Sequence, residues 1–343
     1  MTAYDAILGH ERQIAQLERA RLVGKVAHAY LFYGPDGVGK ELLALAFAKA
    51  LNCTAGEGAP CEGCPSCKKI ASGNHPDVRL VASEQGLIDR GIIEKEGRGA
   101  TSRQIRNEQI DELAALFRHR PYLGRFKVVI VVDAQQMNDH CQNRFLKTLE
   151  EPSPDSVIIL VTAQSEALLS TVRSRCQALS FGAVARESIA ACLVERHELD
   201  EKTAQVYAAM AQGSLGRAQA LVLGDVLPLR DSIADVTTRI SECDLEDLLS
   251  AAEVHGRDRS ALLQALELLE LWCRDMLLAR LGAPAEMLVN LDRADNLRES
   301  VARTTPRRLM RWIESIRRTR DSQRVNANPR MAMESLLLSM RAA

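Results

Sequence analysis

The sequence is poor in aromatic residues and has no long apolar run. Phe, Trp and Tyr make up 4% of 343 residues, too few for a base-stacking platform along single-stranded nucleic acid. No stretch approaches the roughly 20 uninterrupted apolar residues that a membrane-spanning helix requires. The first five residues, Met1-Thr-Ala-Tyr-Asp5, lack the basic-then-apolar pattern of a secretion signal, so a cytoplasmic location without a membrane partner is expected. Net charge of one sign is also missing: the formal charge is −1, which excludes a whole-molecule basic footprint for nucleic acid.

What is present is a chain with 46% apolar residues, enough for two or three domains at roughly 150 residues each. The charge is unevenly spread. Residues 301–343 hold ten Arg and three acids, giving +7 there and −8 elsewhere. These arginines read as solvated faces of helices, in preference to a phosphate-contacting surface.

The first half alternates strands and helices. Short apolar runs at 28–33, 78–81, 127–132, 157–162 and 177–181 read as five strands, several rich in the β-branched residues of a buried parallel sheet. Helices are expected over 41–51, with Leu42, Leu45, Ala46 and Lys49 at helical spacing, over 105–117, with Ile105, Gln109, Leu113 and Leu116 on one side, and over 138–150. This order implies an α/β layer. Residues 84–104, with four glycines among charges, read as a long surface loop. After about residue 183 only helices are expected: 186–197, 200–213 and 215–223, then longer amphipathic ones. The longer set includes 261–281 and a segment striped by Leu309, Trp312, Ile313 and Ile316. The boundaries divide the chain into 1–183, 184–225 and 226–343.

Three constellations carry chemistry. Gly34-Pro-Asp-Gly37-Val-Gly39-Lys40 fits the phosphate loop G-x-x-x-x-G-K between an expected strand and helix. Its glycines let backbone N–H groups wrap phosphate oxygens, and Lys40 would reach the terminal phosphates. The next residue departs from the pattern: Glu41 stands where a hydroxyl should meet Mg²⁺. ATP or ADP with Mg²⁺ is the implied ligand; the rival is a loop that keeps its shape and binds nothing.

The strand Val128–Val132 ends in Asp133, a position suited to a Mg²⁺-water ligand. The residue after it is Ala134, which cannot act as a general base. Hydrolysis at this chain's own site is therefore not expected.

Cys53, Cys61, Cys64 and Cys67 place four thiols in fifteen residues, in a chain expected to be cytosolic, where clustered Cys point to metal. Four thiolates match a structural tetrahedral zinc site. An iron–sulfur cluster and free structural thiols are the alternatives. His75 is at most a substitute ligand and reads as a loop residue. The remaining five Cys read as small core residues.

Asn143-Arg-Phe-Leu-Lys-Thr-Leu-Glu-Glu-Pro152, Thr171-Val-Arg-Ser-Arg-Cys176 and Asn326-Ala-Asn-Pro-Arg-Met-Ala-Met-Glu334, with the Cys insertion, make the chain resemble bacterial clamp-loader AAA+ subunits. The resemblance spans nearly the whole chain. Within that group it is nearer the delta-prime family than the gamma/tau motor family. Ala134 replaces the catalytic Glu. Gly216 stands where the motor has its sensor Arg, with Arg217 displaced by one. The chain also ends just after the collar-like helices, without the long extension of tau.

The resemblance implies an AAA+ α/β module with a zinc insertion at 53–67, a three-helix lid and an all-α helical collar. It implies a hetero-pentamer with gamma/tau and delta subunits of a DNA polymerase holoenzyme, acting on the sliding clamp and primer-template DNA. Arg175 resembles the arginine finger that enters a neighbour's ATP site, and Thr162 matches the sensor position after the fourth strand. The rival readings are a gamma-like ATPase motor and a zinc-containing scaffold outside replication.

Overall fold

A computed structural model describes residues 3–55, 60–94, 101–323 and 327–342. The chain forms two compact units, 1–188 with 213–216 and 189–212 with 217–343.

The first unit runs α1 (Glu11–Leu22), β1 (Ala29–Tyr33), α2 (Lys40–Asn52), α3 (Pro65–Ala71), β2 (Val78–Val81), α4 (Glu84–Asp89), α5 (Asn107–Phe117), β3 (Lys127–Val131), α6 (Asp139–Glu150), β4 (Ser156–Thr162), α7 (Ser170–Arg173) and β5 (Gln177–Ser180). The five strands are parallel, in the order β2-β3-β4-β1-β5. β1 and β4 pair from Ala29↔Ile158 to Tyr33↔Thr162. Alternate side chains feed two cores, as the period-2 pleat requires. Tyr30, Phe32, Val128, Ile130, Val157, Ile159 and Val161 pack on one face. Leu31, Val129, Val131, Ile158 and Leu160 pack on the other. Both faces are covered by helices, which is why the strands read as unbroken apolar runs.

The expected strands all form, and the architecture is a parallel α/β module followed by helices. Three local readings need correction. The loop expected at 84–104 contains α4, capped by the Ser83 hydroxyl, which accepts from the Gly86 N–H; residues 95–100 lie outside the described ones. The α2 stripe is partly misplaced: Ala46 is buried as expected, but Leu42 is exposed, and Leu43, Ala44, Phe47 and Leu51 are buried. Of the side expected for 105–117, Ile105 and Leu113 are buried, but Ile110 and Phe117 are buried in place of Gln109 and Leu116.

Two buried polar residues fasten the segment before β3, Asp77 from the start of β2 and Asn52 from the end of α2. Asp77 accepts backbone N–H groups from Tyr122, Leu123 and Gly124, each at 2.7 Å. Burial opposes its charge, yet these donors outweigh it and hold the carboxyl below its usual range. Asn52 accepts from the Phe126 N–H at 2.9 Å and donates to the Phe126 carbonyl at 3.0 Å. Gly124 is required here, because a Cβ would lie 2.3 Å from Asn52 Oδ1.

The second unit contains most of α8 (Arg186–His197), α9 (Glu201–Met210) and most of α10 (Leu215–Leu223), then α11 (Leu227–Thr238), α12 (Leu245–His255), α13 (Arg259–Arg280), α14 (Ala294–Ala302), α15 (Pro306–Ser322) and α16 (Pro329–Ala342). α13 is its hub and packs against α11, α14, α15 and α16. Trp272 and Trp312 are buried in this core. Trp312 Nε1 donates to the Met340 carbonyl at 2.9 Å, and the Arg308 guanidinium lies 5.0 Å from the Trp312 ring centroid. Asp275, on α13, accepts from the backbone of Val289 and Asn290 through Oδ2; burial still pushes its carboxyl up. Several of the C-terminal arginines are engaged in ion pairs: Arg317 and Arg320 with Glu270, Arg318 with Glu314, and Arg330 with Glu253 and Glu334. Among the described residues no helix is long and apolar enough to cross a membrane.

Candidate functional site

The parallel sheet delivers the ends of β1, β3 and β4 to one edge, where open α/β sheets place their ligands. β1 leads into Gly34–Lys40 and α2. Gly34, Gly37 and Gly39 all take positive φ (146°, 69° and 111°). Gly34 leaves no alternative: a Cβ there would sit 2.1 Å from the Phe181 carbonyl oxygen. The loop is held by its carbonyls. Lys40 Nζ donates to those of Gly34 (2.7 Å) and Pro35 (2.5 Å). His10 Nε2 meets that of Val38 at 2.7 Å, and the Gly216 N–H donates to that of Gly37 at 2.9 Å. Lys40 is buried, with Asp36 at 3.9 Å. Desolvation lowers the pKa of its ammonium against the pull of Asp36 and Asp133.

Gly216 has a steric reason. A Cβ at that position would come within 3.3 Å of the Gly37 Cα and carbonyl oxygen. The neighbouring Arg217 is ion-paired with Glu267 of α13.

Asp133 follows β3 in a left-handed conformation, φ 53° and ψ 47°, which Asp tolerates better than most residues. Ala134 is fully buried in the core on the α5–α6 side of the sheet. Thr162, also buried, donates to Gln135 Oε1 at 2.7 Å and accepts from the Gln164 N–H at 3.0 Å. Its backbone carbonyl accepts from the Gly34 N–H at 3.3 Å. Thr162 thus links the phosphate loop to the turn that bears Asp133.

The residue that sequence reasoning missed is Arg90. Its Nε donates to both oxygens of Glu41 at 3.1 Å. Its Nη2 donates to Glu41 Oε2 at 3.0 Å and Asp133 Oδ2 at 3.2 Å, and its Nη1 donates to the Gly86 carbonyl at 2.9 Å. The one available signal was Ser83 three residues before Gly86, a helix start inside an apparent loop.

Arg175 stands elsewhere, in the turn between α7 and β5. Its guanidinium is about one-third exposed, pairs with Glu150 of α6 at 2.6 Å and donates to the Thr171 carbonyl at 2.9 Å.

The four cysteines of the insertion come together. Their Sγ atoms all lie within 4.8 Å of one another, and Cys53 and Cys64 are 3.9 Å apart. Sulfurs around a tetrahedral ion with Zn–S near 2.3 Å sit about 3.8 Å apart, so the cluster could hold such a metal ion. The Cys64 N–H points at Cys61 Sγ (3.3 Å) and the Cys67 N–H at Cys64 Sγ (3.4 Å). Burial works against a charged Cys64, but Thr54 and the Cys67 N–H outweigh it and bring the thiol down to about 5. His75 is not a fifth ligand. It is buried, its Nδ1 accepts from the Asp77 N–H at 3.1 Å, and its Nε2 meets Ser66 Oγ at 3.0 Å. That bond ties the Cys loop to the start of β2. Of the other cysteines, Cys141, Cys192 and Cys273 are buried, whereas Cys176 and Cys243 are half-buried.

The family model described as "DNA polymerase III, delta subunit" matches residues 9–185, more than half of the chain. The chain belongs to the DNA polymerase III delta-subunit family. The model for that family's C-terminal part matches residues 236–342. Among curated relatives, DNA polymerase III subunit delta' of Bacillus subtilis is 28% identical, covering 92% of this chain and 91% of that protein. Subunit tau of the same organism is 26% identical, covering 96% of this chain but 60% of that protein. A gamma subunit-related protein of Thermotoga maritima is similar in structure, with a TM-score of 0.41, 18% identity and coverage of 95% and 99%.

Proposed function

We propose that this chain is a delta-prime-type subunit of a bacterial replicative clamp loader, which helps place the sliding clamp on primed DNA without hydrolysing ATP itself. The observation that carries the reading is Ala134. It follows the strand-end Asp133 directly, and its methyl group is buried in the core, so no side chain there can take a proton from an attacking water. Arg175 supplies the complementary half. It is partly exposed, held by one carboxylate on the surface, and is the group offered in trans to a neighbouring gamma/tau site.

A nucleotide, if held here, meets the glycine loop and Lys40, whose Nζ would exchange the Gly34 and Pro35 carbonyls for phosphate oxygens. Bound at a hydrolysing site, Mg²⁺ supplies charge neutralisation to the phosphates. Here the acids that would face it, Glu41 and Asp133, are bridged by Arg90, and that arrangement does not fit the ion. The Cys53, Cys61, Cys64 and Cys67 cluster takes a structural zinc. Residues 184–225 form the lid and 226–343 the collar that joins gamma/tau and delta in a five-membered ring.

Reconstitution with gamma and delta subunits tests the reading. The chain is expected to co-elute with them as one assembly, while the isolated chain shows only background ATP turnover. Failure to assemble, or robust turnover by the isolated chain, contradicts it.

A further inference from the structure

Arg90 lies in a charged, glycine-rich stretch, yet its side chain makes five hydrogen bonds. α4 is capped by Ser83, and Arg90 follows its last residue. Gly86 lets the side chain fold back: a Cβ at 86 would meet Arg90 Nη1 and Ser83 Oγ at 3.2 Å each. The Gly86 carbonyl then takes an Nη1 hydrogen. The remaining contacts all run to the two carboxylates that flank the phosphate loop, Glu41 at the start of α2 and Asp133 at the end of β3. These acids lie 49 and 43 residues from Arg90 in sequence, so only the fold brings the three together.

The chemistry of the donor set is that of a divalent-cation site already neutralised. Mg²⁺ is bound by one or two carboxylates together with substrate phosphates, and Glu41 and Asp133 are the acids positioned for it. A guanidinium is a fixed, planar cation with no readily lost proton. Engaged with both carboxylates, it screens them and occupies the oxygens that a metal would need. All three side chains are about one-quarter to one-third exposed, so a hydrated ion could reach the carboxylates if the guanidinium were removed.

We propose that Arg90 is the resident cation of this phosphate loop, standing in place of a divalent metal and excluding it. This concerns the chain's own site and does not rest on the role of Arg175, so either can fail alone. It also gives a reason for Glu41 at a position where a hydroxyl would serve a metal: a carboxylate is the better partner for an arginine.

Mn²⁺ binding to the zinc-loaded full chain, followed by loss of the free-ion EPR signal, tests the proposal. The wild type is expected to take up no Mn²⁺ at this site. Arg90→Gln is expected to gain one Mn²⁺ per chain, at least tenfold tighter than any uptake by the wild type, and the double variant Arg90→Gln, Glu41→Gln is expected to lose it. Arg90→Lys, which keeps the charge, should stay close to the wild type, and it serves as the reading if Arg90→Gln does not fold: metal uptake by the folded Lys variant would then count against the proposal, and continued exclusion would support it. Two results overturn it. One is a wild-type Mn²⁺ site that Asp133→Asn abolishes. The other is a folded Arg90→Gln variant that binds no more Mn²⁺ than the wild type.

Discussion

Arg175→Ala is expected to lower the clamp- and DNA-stimulated ATP turnover of a reconstituted assembly at least tenfold, while the assembly still forms. The reason is electrostatic. An arginine supplied in trans meets the charge that develops on the transferred phosphoryl group, and in other nucleotide hydrolases this contributes roughly 10³–10⁵ in rate. The expected loss is smaller than that range because one finger serves one of several sites, and it reaches tenfold because in this account those sites turn over as one coupled cycle. The substitution should hardly change stability. Arg175 is about one-third exposed and pairs with Glu150, itself about half exposed, and such surface pairs contribute roughly 0–1 kcal/mol. Arg175→Lys is expected to restore only part of the turnover, since an ammonium lacks the planar fork. Unchanged turnover in an intact Arg175→Ala assembly would remove the finger from the account.

The second large effect is expected at the cysteine insertion. One zinc per chain should be found by elemental analysis, and Cys64→Ser should bring it to near zero. Cys64 is at the centre of the cluster. Its sulfur accepts from the Cys67 N–H and lies 3.9 Å from Cys53 Sγ, and it caps α3. Metal binding and folding are one free energy where the site has no structure without the ion. The insertion is also anchored to the rest of its unit through Ser66 and His75, so its loss should spread. A destabilisation of about 3 kcal/mol corresponds to a fall in Tm of roughly 6–12 °C for a unit of this size. Cys176→Ser, outside the cluster, should leave the metal content at one. Zinc retained at one per chain in Cys64→Ser would show that the four thiols do not form the site.

Much of the first unit was legible because its signals are local. Runs such as Val128–Val132 are β-branched and unbroken, and a strand buried on both faces has no other way to read. Gly34–Lys40 and the four cysteines are short motifs whose spacing is itself the geometry. Leu42 of α2 and Gln109 and Leu116 of α5 are each one position from the buried residue because a helix packed against a sheet and other helices buries more than one clean face. Phe47 and all four alanines of α2 are buried together with Leu43. Arg90 was not legible at all. Its role depends on two carboxylates more than forty residues away, on a six-residue helix, and on one glycine that clears room for its guanidinium. Periodicity carries none of that. Arg217 and Gly216 illustrate the same limit. The motif showed the displacement of the arginine, but only the structure shows Gly216 pressed against Gly37 and Arg217 paired with Glu267.

The central claim is that this chain contributes to the assembly without turning over ATP at its own phosphate loop. The most direct test is the steady-state ATP turnover of the reconstituted assembly carrying Lys40→Ala in this chain alone. Lys40 is the residue that any hydrolysing phosphate loop needs most. The account predicts turnover within twofold of the wild-type assembly, because the hydrolysing sites lie on other subunits. A collapse of turnover in a properly formed Lys40→Ala assembly would contradict it and make this chain a motor.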